Sequence, residues 1–189
     1  MGIVTKTGDK GTTGTLGGQR LLKSSSLIEL NGQIDEVNAS LGYLNALIEE
    51  GKNFPKKEEV LDFIRYIQNG LYNLGTEISS GFTIIRFDES HALLLESKID
   101  ELTSLMPPQT KFILFSGAKE ATYTHVVRSV SRRCERQFVR FLLEENIDPF
   151  PHCYKFLNRL SDYLFTLARF LNQELGGQEM ETTPWITEK

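Results

Sequence analysis

The feature that most constrains the fold is a long helical repeat of apolar residues in the first third of the chain. Serines at positions 24–26 precede this repeat, and serine is a good helix-capping residue. The pattern predicts a long helix from these serines to about Glu50, with one face packed in a core. Its apolar residues follow one another at steps of three and four: Leu27, Leu30, Ile34, Val37, Leu41, Leu44 and Ile48.

Four further stretches show the same spacing and predict four more helices. They cover residues 57–80, residues 89–105, a segment that contains residues 122–140 and ends near Asn146, and residues 153–175. The apolar run at 111–119 is too short for a helix, and we find no convincing strand. The sequence therefore predicts an all-α protein, a five-helix up-and-down bundle in one domain over residues 1–189, with a loop at 1–23 and a flexible polar tail at 176–189.

The fourth predicted helix carries an apolar face and a concentration of arginines, although the chain has a net charge of -4. Arginine forms paired hydrogen bonds to phosphate or carboxylate oxygens, so the cluster is a candidate anion site. An ordinary solvated face is the alternative, with Arg132 or Arg136 paired to Glu135 along the helix. The arginines of this ridge are Arg128, Arg132, Arg133, Arg136 and Arg140.

Residues 5–18 contain five glycines, five threonines and two lysines. Backbone amides, hydroxyls and ammonium groups in such a run can form a cradle for an anion. A disordered chain end is the alternative interpretation. The run does not match the G-x-x-x-x-G-K-[ST] phosphate loop, and no strand precedes it, so a P-loop fold is not supported.

Composition narrows the class of protein. The mildly acidic balance, with an isoelectric point near 5.5, argues against a nucleic-acid partner. Neither a signal peptide nor a membrane span is apparent. Cys134 and Cys153 have neither metal-type nor redox-type spacing, which indicates free thiols in a reducing compartment. The sequence thus predicts a cytoplasmic protein without a membrane partner.

The residue patterns nominate no protein nucleophile and no metal cluster. His91, His125 and His152 are scattered, and no G-x-S-x-G elbow or obvious Cys–His pair is present. Asn158 and Asp162, four residues apart on the fifth helix, should lie near the arginines in a bundle. These groups suit the binding of a polyphosphate, in an enzyme whose co-substrate supplies the nucleophile.

Four motifs in the chain resemble those of the PduO-type ATP:cob(I)alamin adenosyltransferases, in the same order. The resemblance covers residues 3–171. The motifs are T-K-T-G-D-K-G at 5–11, G-Q-I-D-E-V-N-A-S-L-G at 32–42, R-S-V-S-R-R-C-E-R at 128–136 and F-L-N-R-L-S-D-Y-L-F-T-L-A-R at 156–169.

The resemblance implies a ferritin-like five-helix bundle that assembles as a homotrimer and binds ATP between neighbouring subunits. It implies that reduced cobalt of cob(I)alamin, or of cob(I)yrinic acid a,c-diamide, attacks the 5′ carbon of ATP and yields adenosylcobalamin and tripolyphosphate. Magnesium would accompany ATP. Further partners would be a reductase and a cobalamin-dependent enzyme.

The resemblance also implies roles for single residues. Asp35 and Arg128 would bridge two subunits and help to form the corrinoid pocket, and Arg132 would act in catalysis. Phe112 would lie beneath the corrin and keep the lower axial ligand off cobalt, whereas core packing is the alternative role for this side chain. The residues implied to bind ATP are Thr5, Lys6, Thr7, Gly8, Thr13, Gly14, Lys23, Arg132, Arg133, Cys134 (through its backbone), Glu135, Arg136 and Asn158.

The chain departs from the family pattern after F-I-L, where the family has proline and a glycine pair. Phe115 and Ala118 fall in this segment, and Leu27 and Asn31 replace a common arginine and a frequent tyrosine. The first departure bears on the shape of the corrinoid pocket. Two other hypotheses stay open: a non-catalytic carrier of ATP or cobalamin, and a nucleic-acid-binding bundle based on the arginine helix alone.

Overall fold

The structure, a computed structural model, describes residue 4, residues 6–183 and residue 185. Five helices dominate it, which confirms the predicted all-α bundle, and four of the five begin within two residues of the predicted positions. The fourth begins at Lys119, where we had predicted the end of a short apolar run. The helices are α1 (Ser26–Glu50), α2 (Lys57–Ser79), α3 (Glu89–Ser104), α4 (Lys119–Glu144) and α5 (His152–Leu175).

Neighbouring helices bury the apolar faces that the spacing predicted. Helix α1 packs against α2 and α4, and α5 packs against α4 and α3. Helix α2 also approaches α5 closely, because a Cβ atom at Gly70 would lie 2.8 Å from the ring of Phe156. Tyr163 and Phe138 are among the largest side chains that are fully buried. Their core holds α4 and α5 side by side, and these two helices carry most of the candidate site.

The serines before α1 do not act as the predicted helix cap. Ser25 occupies the capping position, but its side chain makes no capping hydrogen bond, and its buried hydroxyl lacks a partner among the described residues. The side-chain amide of Gln137 instead donates to the carbonyl and the hydroxyl of Ser26, each at 3.2 Å. This contact ties the start of α1 to the C-terminal half of α4, so the two helices run antiparallel.

The glycine-rich segment forms a small hairpin, contrary to our expectation of no strand. Strands β1 (Thr12–Gly14) and β2 (Arg20–Leu22) pair antiparallel, with Thr13 opposite Leu21. Gly18 adopts a left-handed φ of 78°, which favours glycine, in the turn between them. The pattern of apolar alternation failed here because the strands are short and lie at the surface, where backbone pairing and the turn decide the structure.

Backbone hydrogen bonds attach both ends of the chain to the bundle. The amide of Gly17 donates to the carbonyl of Ser79 at 2.9 Å, which places the hairpin at the end of α2. Near the other terminus, Ile113 and Glu181 form an antiparallel bridge. The mobility that we predicted for the tail is not tested by these contacts and stays a prediction. In the described ranges, no helix is long and apolar enough to cross a membrane.

Candidate functional site

The glycine-rich loop and its hairpin bring together three of the predicted ATP-binding residues, Thr7, Gly8 and Lys23. The ammonium nitrogen of Lys23 lies 3.1 Å from the point that a Cβ atom on Gly8 would occupy, so the absence of a side chain there lets the lysine lie over the loop. The backbone amide of Lys23 donates to the carbonyl of Gly11 at 2.9 Å. Lys6 precedes Thr7 in a left-handed conformation, with φ at 56°. Thr5 falls outside the described residues.

Arg20 organises this loop, and our sequence analysis missed it. Its Nε donates to the hydroxyl of Thr12 at 2.9 Å, and its Nη2 donates to the carbonyl of Thr7. Gly14, a predicted site residue, pairs with Arg20 across the hairpin. The register of the hairpin would have been the signal needed to find Arg20, because only pairing of the strands brings residue 20 close to residues 7 and 12.

Two arginines of the α4 ridge are free to meet a ligand. Arg132 and Arg136 are exposed, and neither makes an ion pair within the described part of the chain. The alternative pairing of these arginines with Glu135 is absent there as well, and Glu135 instead accepts a hydrogen bond from the amide of Asn158 at 2.7 Å. Arg132 and Arg136 are therefore exposed cations without the self-pairing that the alternative included.

The other two exposed arginines of the ridge have carboxylate partners. Arg133 bonds to Glu36 on α1, and the contact raises the pKa of the Arg133 guanidinium. Arg140 pairs with Glu144 one turn along α4, at 2.8 Å. Of the ridge, these two residues are already engaged within the chain.

Asn158 borders a cavity of about 390 Å³ between α3 and α5, and its amide nitrogen donates to Glu135 on α4. Asn158 also accepts a hydrogen bond from Arg159 at 3.0 Å, and Arg159 pairs with Glu96 of α3 at 2.6 Å. The amide of Asn158 is thus fixed on both of its atoms by charged neighbours. Fixed amide and carboxylate groups of this kind can orient the hydroxyls and ring nitrogens of a nucleoside.

Cys134 faces away from the ridge. Its side chain is fully buried, and burial raises the pKa of its thiol to about 12, so the thiol stays protonated at neutral pH. Any contact between this residue and a ligand could involve only its backbone. Burial likewise raises the pKa of Cys153.

Arg128 lies one turn before Arg132 and borders a larger cavity, of about 520 Å³. Its guanidinium carbon is 5.5 Å from the ring centre of Phe115 and 5.3 Å from that of Phe165. Its Nε is buried and has no hydrogen-bond partner among the described residues. Burial, and then the charge of Arg132, lower the pKa of Arg128, while Asp162 acts in the opposite direction.

Phe112 also lines this cavity and is 84% exposed. Core packing, the alternative role that we considered, therefore does not describe it. An apolar ring held in water costs free energy unless a ligand or partner covers it. Phe115, which departs from the family pattern, lies on the same cavity and is 52% exposed.

His125 lies beneath the aromatic wall of this cavity. Its ring stacks on Phe115 with centres 4.4 Å apart, and it is 2% exposed. Neither ring nitrogen has a partner in the described ranges. Burial, and then the nearby Arg128, lower the pKa of His125 to about 4, so the ring is neutral at physiological pH.

Asp35 lies on a different surface from Arg128. It is exposed and borders a cavity of about 250 Å³ between α1 and α2, together with Asn38 and Tyr72. No ion pair joins Asp35 to Arg128 within the part of the chain that the structure describes. A single chain thus brings together three separate groups: Thr7, Gly8 and Lys23, then Glu135 and Asn158, then Arg128 and Phe112.

No metal cage is apparent among the described residues, in which no group of three or more histidine, cysteine, aspartate or glutamate side chains could hold an ion. A magnesium ion that travels with a nucleotide needs no such cage, since phosphates and water supply most of its ligands. Glu135, next to Arg136 in the sequence, is already bonded to Asn158.

Comparison with known proteins finds similar sequences over most of the chain. The cobalamin adenosyltransferase family model matches residues 3–171. The corrinoid adenosyltransferase of Bos taurus is 38% identical over an alignment of 185 residues, which covers 94% of this chain and 74% of that protein. The corrinoid adenosyltransferase of Bacillus subtilis is 36% identical over 183 residues, with 96% of this chain and 92% of that protein covered.

Solved structures agree with the sequence comparison. A variant of the PduO-type ATP:corrinoid adenosyltransferase from Lactobacillus reuteri, complexed with cobalamin and ATP, superposes with a TM-score of 0.85 at 31% identity, over 97% of this chain and 100% of that one. A second variant of that enzyme, complexed with ATP, gives a TM-score of 0.85 at 33% identity, over 96% and 100% of the two chains. The family match, the shared bundle and the arrangement of arginines, loop and aromatic cavity lead to one conclusion: this chain belongs to the cobalamin adenosyltransferase family.

Proposed function

We propose that this enzyme transfers the 5′-deoxyadenosyl group of ATP to the reduced cobalt of a corrinoid, releasing tripolyphosphate. The observation that carries the proposal is the position of Arg128 and Arg132, one turn apart on α4. Arg128 borders an aromatic cavity of about 520 Å³, and Arg132 is an exposed cation without a partner among the described residues. Between them, the helix offers an apolar surface for a macrocycle and a positive charge for a polyphosphate.

The reaction needs no nucleophilic side chain, because reduced cobalt is itself the nucleophile. This suits the chain, whose described cysteines are buried with raised pKa values and whose His125 is buried and neutral. The protein must bind two substrates, hold the cobalt in line with the 5′ carbon, and stabilise the departing polyanion.

Stabilisation of the leaving group is the role that we assign to Arg132, Arg136 and Lys23, with Thr7 and Gly8 of the loop. Exposed cations without carboxylate partners can turn to phosphate oxygens without first breaking an ion pair. The remaining loop residues, Thr5, Lys6, Thr13 and Gly14, would complete the cradle through backbone and hydroxyl groups. Magnesium bound to the triphosphate would neutralise further charge.

The adenosine half of ATP is assigned to the surface at Glu135 and Asn158, whose side chains are bonded to one another at 2.7 Å. Arg133, which bonds to Glu36, would also contact the adenosine half, and Cys134 would contact it only through its backbone. Hydrogen-bonding groups that are already fixed lose little entropy when a ligand binds.

The corrinoid is assigned to the cavity of Phe112, Phe115, Phe165 and Arg128. The exposed ring of Phe112 would lie under the corrin and displace the lower axial ligand, which makes the bound Co(II) easier to reduce. Arg128 lies against two aromatic rings, so its position is set before substrate arrives.

A homotrimer would complete the site. Asp35 and Arg128 border separate cavities of one chain, and Arg128 has a buried Nε without a described partner. If a neighbouring subunit brought its Asp35 to Arg128, the carboxylate would pair with the guanidinium, whose Nε is buried. A buried charge without such a partner costs free energy. The same contact would place the ATP loop of one subunit against the corrinoid cavity of the next.

We place the enzyme in the cytoplasm, where its two free thiols would stay reduced. A reductase would supply electrons to the corrinoid, and a cobalamin-dependent enzyme would receive the product. These partners follow from the chemistry, since Co(I) must be generated and adenosylcobalamin is a cofactor.

The test is an anaerobic assay of the purified protein with ATP, magnesium and chemically reduced cobalamin, followed by the visible spectrum. We expect conversion to adenosylcobalamin that depends on ATP and releases tripolyphosphate. Binding of ATP and cobalamin without conversion would overturn the proposal and favour the carrier hypothesis. ATP-independent affinity for nucleic acid that falls steeply with salt would favour the third hypothesis.

A further inference from the structure

The aromatic wall of the corrinoid cavity belongs to a loop that the C-terminal segment holds from outside. The amide of Leu114 donates to the carbonyl of Met180 at 2.8 Å, and the amide of Thr182 donates to the carbonyl of Phe112 at 2.9 Å. Lys111 and Glu181 add an exposed ion pair at 2.5 Å. Residues 112–114 are therefore half of a two-stranded pairing, although they show no apolar alternation of a strand.

Asn172, in the last turn of α5, fixes the other half of this loop. Its Nδ2 donates to the carbonyl of Ser116, and its Oδ1 accepts from the amide of Ala118, both at 2.9 Å. Its own carbonyl accepts from the amide of Gly177 at 2.8 Å. The residue is 1% exposed, so one buried amide joins the loop, the start of α4 and the start of the tail.

Two glycines make room for this amide. A Cβ atom on Gly117 would lie 2.1 Å from Oδ1 of Asn172, and one on Gly177 would lie 2.3 Å from the same atom. Gly117 also has a φ of 112°, in the region that favours glycine. The loop backbone thus closes around the Asn172 side chain, and a buried polar group that is fully bonded specifies one arrangement.

We propose that Asn172 is a positioning residue for the corrinoid. By holding Ser116 and Ala118, it sets the path of the loop that presents Phe112 and Phe115 to the cavity. Ala118 is also the residue that caps α4, so the same contact fixes the loop relative to the helix that carries Arg128. Asn172 touches neither substrate nor cobalt, and the inference rests on the proposed function of this cavity.

A positioning role differs measurably from a general contribution to stability. No described hydrogen bond links Asn172 to Lys23, Arg132 or Asn158, the residues that we assign to ATP. Loss of the amide should therefore raise the KM for the corrinoid and leave the KM for ATP nearly constant. A uniform loss of folded protein would lower the number of active sites and change neither KM.

The experiment compares Asn172→Ala with wild type, measuring both KM values in the anaerobic assay at a temperature where both proteins are folded. We expect the KM for reduced cobalamin to rise at least about fivefold, the size expected from one of the two buried hydrogen bonds that the variant loses, and the KM for ATP to change less than about twofold. The matched control is Asn45→Ala, which removes a buried amide that donates to the carbonyl of Leu61 at 3.0 Å between α1 and α2. It should lower the melting temperature and leave both KM values unchanged.

If Asn172→Ala does not fold, Asn172→Asp takes its place, because it keeps the oxygen that accepts from Ala118 and removes the donor to Ser116. A further variant, Thr182→Pro, loosens the same loop at its other attachment. Thr182 is exposed, and proline removes only the amide that bonds to Phe112, so the bundle keeps its core. The KM for reduced cobalamin should rise about twofold or more, again without change for ATP. An inactive wild type would overturn the proposed function itself, whereas an active wild type with unchanged or equally raised KM values in the Asn172 variant would overturn the role of Asn172 alone.

Discussion

Arg128 and Arg132 lie one turn apart on α4 and have opposite surroundings. Arg128 lies against the rings of Phe115 and Phe165, and burial lowers the pKa of its guanidinium. Arg132 is exposed and makes no hydrogen bond with any described residue. The two arginines therefore differ in mobility. Packing against aromatic rings fixes Arg128 before a ligand binds, whereas the exposed side chain of Arg132 can reorient towards a charged ligand.

The same contrast extends to the regions around the two arginines. The cavity at Arg128 has walls of aromatic side chains, buried His125 beneath them and Asn172 behind the loop. The region at Arg132 offers Arg136 on the same helix, and both side chains are exposed. Substitutions of the buried groups in the first region should therefore affect stability, whereas substitutions of the exposed cations in the second should affect ligand binding alone.

Arg132→Ala should cause the largest loss of activity and the smallest change in stability. We expect turnover to fall about a thousandfold, or about 4 kcal/mol, because one charge that stabilises the leaving polyphosphate is lost. Assembly of the proposed trimer and the melting temperature should stay as in wild type. Arg140→Ala is the matched control, since Arg140 is exposed but already paired with Glu144, and it should keep full turnover. Wild-type turnover in Arg132→Ala would remove this residue from the site.

The pH dependence of stability should contain a component from the buried region. The folded-state pKa of His125 lies near 4, below its ordinary value of 6.5, so between these values the unfolded chain binds the proton and the folded chain does not. The free energy of unfolding should fall as pH drops through this window, by up to about 3 kcal/mol. Urea denaturation at several pH values measures it. The His125→Phe variant should lack this component, and an unchanged slope in that variant would contradict the assignment.

The contact proposed between subunits should appear as coupling between two residues that lie apart in one chain. We expect Asp35→Ala and Arg128→Ala to weaken the trimer non-additively, with a coupling energy of about 2 kcal/mol in a double-mutant cycle. Dissociation of the trimer on dilution, followed by sedimentation, gives the energies. Additive effects would show that the two residues do not meet. Asp62→Ala, which removes an exposed partner of Arg65 on α2, is the control.

Phe112→Ala should separate function from stability inside the aromatic region. Because this ring is 84% exposed, its removal should change the free energy of unfolding by less than about 0.5 kcal/mol. Turnover should fall about tenfold, or about 1.4 kcal/mol, since the ring no longer covers the lower face of the corrin. Phe138→Ala is the contrasting variant, because Phe138 is fully buried and its loss should cost about 4 kcal/mol of stability. A large loss of stability in Phe112→Ala would show that the ring packs in the folded protein.

Periodicity allowed the helices to be predicted, because steps of three and four residues leave few other structures for an apolar stripe to adopt. The hairpin escaped the same method. Its short strands lie at the surface, where turn geometry and the bond from Gly17 to Ser79 decide the structure. The predicted helix cap at these serines failed for a related reason. Ser25 makes no capping hydrogen bond, and the neighbouring Ser26 is bonded to Gln137 of α4.

The candidate site was predictable as a set of residues and not as an arrangement. The resemblance named Arg132, Glu135 and Asn158 together, yet only the structure shows that Glu135 bonds to Asn158 and leaves Arg132 unpaired. Arg20 was missed because its contact with Thr7 depends on a hairpin register. Phe112 could not be assigned from sequence to core or surface, since a phenylalanine in a short apolar run suits both.

The sequence by itself determined the five helices, their buried faces and the family, because local periodicity and motif order are properties of the chain alone. Tertiary structure alone decided how Arg128, Phe115 and His125 stack, and how Asn172 reaches Ser116 and Ala118. These contacts join segments tens of residues apart. Their geometry depends on how the packed helices meet, which no local pattern encodes.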